Sequence, residues 1–81
     1  MRDRVLIFAS EPLRSALVDF VRDQGYEPRI TTTPLQAIGE LLDEDHPVGA
    51  AVIAEELPDG RAMLDLIGEE FPDVSRVYLA A

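Results

Sequence analysis

A doubly wound α/β sheet is the fold class this sequence predicts, on three observations. Short, nearly unbroken apolar runs recur along the chain, stretches with helical spacing of apolar residues separate them, and proline, glycine or acids punctuate the breaks. Apolar runs of this kind suit strands covered on both faces, which is the situation of a parallel sheet between helices. Strand and helix alternating from end to end is the pattern of successive βαβ units, whose right-handed crossovers build an open sheet.

The first strand, β1, is expected over Arg4 to Ala9 (Arg-Val-Leu-Ile-Phe-Ala). Ser10 then offers an N-cap hydroxyl, Glu11 suits the positive end of the helix dipole, and Pro12 fits where a missing N–H costs nothing. The helix that follows, α1, repeats Leu13, Ala16, Leu17, Phe20 and Val21 at i, i+3, i+4, i+7, i+8 and stops at Gly25. Glu27 to Thr32 alternates more weakly and is expected as an edge strand, β2. Thr33-Pro34 repeats the cap-and-proline signal and opens α2, with Leu35, Ile38, Leu41 and Leu42 on one side. Asp43, Glu44 and Asp45 oppose the dipole at its end, which predicts fraying before His46-Pro47. Val48 to Ala54 is the most apolar run and predicts a central strand, β3. Glu55 to Gly60 has loop chemistry, with Asp59 available to cap α3, whose Met63 or Leu64, Ile67 and Phe71 repeat helically up to Pro72. Arg76 to Ala81 is the fourth strand, β4.

With 81 residues the chain is read as one domain, 1–81. A chain of this size buries only about 60–65% of its unfolded surface, so its stability margin is thin. It has no cysteine, so disulfides and thiolate metal sites cannot reinforce it, and added stability is expected from association. The apolar run after Arg4 is too short for a signal-peptide core or a membrane span, which makes the cytoplasm the expected location. Sixteen acids face seven bases, all arginine, for a net charge of −9. That field repels nucleic acid and anionic membranes, so neither is an expected partner.

In open α/β sheets ligands bind beyond the carboxyl ends of the strands, where strand order reverses. Those ends carry Ala9-Ser10-Glu11, then Ala54 to Gly60, then Ala80-Ala81. Glu11, Glu55, Glu56 and Asp59 converging there would suit cation binding or hydrolysis, against the plainer reading of solvated loop acids and helix caps. His46 stands alone in an acidic loop and reads as a surface residue. The glycines are dispersed, with no phosphate-cradling loop after β1, and the aromatics read as core and rim, so no cofactor is expected.

Arg-Val-Leu-Ile-Phe-Ala-Ser-Glu-Pro resembles the opening strand of response-regulator receiver domains, and Leu57-Pro58-Asp59-Gly60 resembles the loop after their phosphoacceptor. The resemblance runs from Arg4 through Ala81 and implies a flavodoxin-like sheet truncated to β1-α1-β2-α2-β3-α3-β4, in strand order 2-1-3-4. It also implies that the phosphorylation pocket is degenerate. The family's cation-binding acid pair falls on Ala9 and Ser10, its phosphoacceptor on Ala54, and its strand-four hydroxyl on Ala80. Glu55, one residue from the acceptor position, is the one acid placed to mimic a permanent charge. Catalytic and metal sites are accordingly expected to be absent. The expected role is a phosphorylation-independent pseudo-receiver, not an enzyme, that binds itself and a signalling or scaffold protein. The rival roles are a structural assembly unit and a metal-binding or enzymatic domain using the strand-end acids. With no fifth strand in the sequence, β4 becomes an edge beside an uncovered face, and Val52, Ile53, Val77, Tyr78 and Leu79 are the expected dimer interface.

Overall fold

The computed structural model describes residues 3–54 and 57–79. Seven elements appear in the expected order: β1 (Arg4–Phe8), α1 (Leu13–Asp23), β2 (Glu27–Thr31), α2 (Pro34–Leu41), β3 (Val48–Ala54), α3 (Gly60–Glu70) and β4 (Ser75–Leu79). All strand pairs are parallel and the order is β2-β1-β3-β4, which is the doubly wound arrangement expected, with β2 at an edge. Ala9 falls just past β1, and Ala80 lies outside the described residues.

Strand alternation sorts the core into two layers. Leu6, Phe8, Ala51 and Ile53 face Ala37 of α2 and Met63 and Ile67 of α3. Val5, Ile7, Ala9 and Ala54 face Val18 and Val21 of α1. Val48 shares the first layer with Ala51 despite an odd spacing. The register slips there, Arg4 pairing with Val48 and Val5 with Ala50, so Gly49 is an extra residue that resets the alternation.

The helix ends separate signals that work from signals that do not. Gly25 has φ +89°, and the N–H groups of Gly25 and Tyr26 donate to Arg22 O (2.9 Å) and Val21 O (3.1 Å), a Schellman stop for α1. Thr33 caps α2, its Oγ1 accepting from Gln36 N–H at 3.3 Å, while Gln36 Oε1 accepts from Thr32 N–H at 2.9 Å. Ser10 is not the N-cap of α1: the helix starts at Leu13, Pro12 holds the cap position, and the Ser10 carbonyl accepts from Arg14 N–H at 2.9 Å. Asp59 does occupy the cap of α3 but makes no side-chain bond. Its backbone (φ −97°, ψ 7°) lacks the extended geometry of Thr33 (φ −132°, ψ 154°) that turns a cap side chain toward the helix amides.

Leu35 and Leu42 are solvent-exposed, against expectation. Ala37, Ile38 and Leu41 make the sheet-facing stripe of α2, and at 3.6 residues per turn Leu35 and Leu42 lie roughly 100° round the helix from its centre. The expected fraying after α2 is also corrected, because arginines from the sheet hold its acids. Arg29 grips Glu40 with two nitrogens (3.0 and 2.7 Å), and Arg4 reaches Glu27 (2.7 Å), Glu40 (3.5 Å) and Asp43 (3.6 Å).

Candidate functional site

The strand order reverses between β1 and β3, and these neighbours run parallel with Phe8 opposite Ile53. Their carboxyl ends therefore deliver Ala9-Ser10 and Ala54 side by side, at the place where this architecture binds ligands. Ala9 is 0% exposed and Ala54 1%, and both pack into the α1-side core. Methyl groups therefore occupy the floor of the crevice. They supply no nucleophilic oxygen for a phosphoryl group and no ligand for the cation that phosphoryl transfer requires.

Around that floor the charged groups are engaged or turned outward. Arg14, expected on the outer face of α1, is half-buried, and its Nε donates to Ala9 O at 3.0 Å. Glu11 accepts from Ser15 Oγ at 2.5 Å and is exposed, as is Asp59. Glu55, Glu56 and Ala80 lie outside the described residues. Among the described residues no group of three or more His, Cys, Asp or Glu side chains is placed to hold a metal ion.

The amino ends of the strands carry the charge cluster that the sequence did not disclose. A cavity of about 630 Å³ there is lined by Asp3, Arg4, Arg22, Glu27, Arg29 and His46, among others. The hydrogen bond from Arg29 holds the Glu40 carboxyl below its ordinary range, against the opposing effect of burial, and the same bond raises the Arg29 guanidinium. Burial pushes the Asp43 carboxyl up, but acceptance from His46 (3.2 Å) and from Asp45 N–H (3.0 Å) outweighs it and leaves Asp43 lowered. Arg4 and Arg29 thus spend their donors on carboxylates of the chain itself. The only sequence signal was arginine at alternate, half-buried strand positions facing the acids of α2.

The expected interface residues divide between the two faces. Val52, Val77 and Leu79 line an apolar hollow of about 330 Å³ beside α1, with Leu17, Phe20 and Val21. Ile53 is 0% exposed in the opposite layer, and Tyr78 packs against that same layer with the Arg61 guanidinium 5.8 Å from its ring centre. Period-two alternation explains the correction: Ile53 and Tyr78 pair across β3 and β4 and point away from the hollow.

No protein-family model matches the chain and no curated protein matches it. Solved structures do. A CheY-like response regulator receiver domain protein from Methanospirillum hungatei JF-1 superposes with a TM-score of 0.81 at 19% identity, over 99% of this chain and 65% of that one. NtrX from Brucella abortus, solved in complex with ADP, superposes with a TM-score of 0.78 at 22% identity, over 99% of this chain and 18% of that one. The chain therefore has the flavodoxin-like fold of receiver domains and spans about two-thirds of the first of these proteins. Among the described residues no helix is long and apolar enough to cross a membrane.

Proposed function

We propose that this chain is a cytoplasmic, phosphorylation-independent pseudo-receiver, a protein-interaction and homodimerisation module of signalling rather than an enzyme. The observation that carries the reading is the pair of buried alanines, Ala9 and Ala54, at the switch point of a receiver fold. Interaction is the activity left to such a domain, and the unfilled apolar hollow at Val52, Val77 and Leu79 is a surface suited to it. Intact mass before and after treatment with acetyl phosphate tests the first half, with no change expected. A stoichiometric gain of one alkali-labile phosphoryl group would overturn it. Mg²⁺ and Ca²⁺ are expected to bind no tighter than the millimolar range, so neither raises the melting temperature at lower concentration. A micromolar site by calorimetry, lost on Glu11→Ala or Glu55→Ala, would promote the metal-binding alternative.

A further inference from the structure

The sheet face beside α1 is stepped. α1 packs on β2 and β1, whereas α3 packs on β3 and β4 from the other side, so β3 and β4 carry no helix on the α1 side among the described residues. The low half of the step is Val52, Val77 and Leu79, and its riser is the flank of α1 with Leu17, Phe20 and Val21. Phe20 is 61% exposed and Val77 46%. The apolar stripe of α1 is therefore wider than the part its own sheet covers. No Asp, Glu or Arg lines this hollow, although the chain as a whole carries −9.

We infer that a second copy of the chain fills this step. The two copies interlock about a two-fold axis near Val77, each bare half-sheet packing on the other and each Phe20 closing against the partner's β4 edge. The inference rests on the homodimer reading above and specifies its geometry. Three dimensions support it. The bare region is two strands wide, roughly 10 Å at the spacing of strands in a sheet. The riser is one helix high, again about 10 Å. Face-to-face sheets pack about 10 Å apart, so the α1 of one copy lies level with the sheet of the other and fills the space beside its edge strand.

The two sheet edges point the same way. β2 carries Pro28 between Glu27 and Arg29, a combination that blunts an exposed edge, whereas β4 (Ser-Arg-Val-Tyr-Leu) has no proline and a single charge. Because each copy offers the same step, the contact is isologous and closes at two subunits. Charge favours this surface over others: with every subunit at −9, copies can meet only where the lining is uncharged. A standard interface takes about 800 Å² per partner, roughly a sixth of the 5049 Å² surface of this chain. Half of a face measuring 32 × 29 Å, together with the α1 flank, supplies the lower end of that range. The dimer is thus expected to dissociate on dilution through the micromolar range.

Sedimentation of the full chain across that range tests the inference, alongside Phe20→Asp and the cross-linking variants Val77→Cys and Arg76→Cys. The chain has no cysteine, so each introduced thiol is unique. The expected result is a species of twice 9.0 kDa that dissociates on dilution. Phe20→Asp should keep its far-ultraviolet dichroism, because Phe20 is exposed, yet weaken association by about 30-fold or more, as loss of a central aromatic does. Val77→Cys should form a disulfide dimer on oxidation, while Arg76→Cys, facing α3, should not. A monomer at every concentration overturns the homodimer reading and this geometry with it. A dimer indifferent to Phe20→Asp, or one that Val77→Cys fails to cross-link, overturns the geometry and leaves the homodimer reading standing. A ladder of higher oligomers overturns the closed two-fold.

Discussion

On the α2/α3 side of the sheet two helices span all four strands, and Phe8, Leu6, Ile53, Met63 and Ile67 are sealed between them. On the α1 side one helix spans two strands, leaving Phe20 and Val77 half in water beside an apolar hollow. The strands supplying the two faces are equally apolar: β3 gives Ala51 and Ile53 to the sealed side and Ala50 and Val52 to the open one. The difference between them lies in which helices are present to cover them. Apolar character in a strand announces that a face will be covered and leaves the covering element unspecified.

The largest expected effect follows directly from that contrast. Phe8→Ala removes a fully buried ring from the sealed face and should cost about 3–5 kcal/mol, and Ile67→Ala about 2–5 kcal/mol. Either loss is a large fraction of the stability of a small domain, so both variants should be mostly unfolded by dichroism at room temperature. Val77→Ala on the open face should cost about 1 kcal/mol or less in urea unfolding of dilute protein, where the monomer prevails. If Val77→Ala proved as costly as Phe8→Ala at every concentration, the two faces would be equally closed in solution and the comparison would break.

A second effect, of intermediate size, belongs to the sealed side alone. Glu40 accepts from Arg29 and lies near Arg4, and its carboxyl is lowered chiefly by the Arg29 bond. A carboxyl lowered on folding contributes stability that is fully present above its unfolded value, near 4.3, and is lost as pH falls through the folded value. Glu40→Gln should therefore cost about 1–2 kcal/mol at pH 7 and much less near pH 3, flattening the acid limb of the stability curve. Because α1 does not touch this cluster, the same change should leave self-association unaltered. Weakened dimers in Glu40→Gln would tie the charged end to the open face.

How much of this was legible in the sequence depended on the range of the interaction. Gly25, Thr33-Pro34 and the apolar run of β3 act over a few residues, and each element they announced is present. The degenerate site was legible for the same reason, since Ala9 and Ala54 are placed by the strands they end. Ser10 and Asp59 were misread because a cap depends on backbone angles as well as on residue type. The Arg4, Arg29 and Glu40 cluster was missed because its members come from three elements and meet only once the sheet is assembled. Ile53 and Tyr78 were assigned to the wrong face by treating neighbours in sequence as neighbours on a surface, where a strand alternates.

The smallest expected effect separates stability from association most cleanly. Gly39 lies inside α2, its position is exposed, and a Cβ built there meets nothing within 4 Å. Alanine at that site keeps the helical backbone and narrows the freedom of the unfolded chain, so Gly39→Ala should stabilise by about 0.5–1 kcal/mol. Gly25→Ala is the control of opposite sign. A Cβ there is also in open space, but φ of +89° penalises any side chain, and the variant should be destabilised by about 1 kcal/mol or more. Urea unfolding reads both changes. Gly39→Ala reinforces the sealed side only, so its dimer dissociation constant by sedimentation should match wild type while its unfolding midpoint rises. Equal midpoints with tighter association would mean that α2 contributes to the contact between copies. A rise in both would mean that the subunit completes its folding only when the open face is covered, and the two faces would then form one cooperative unit.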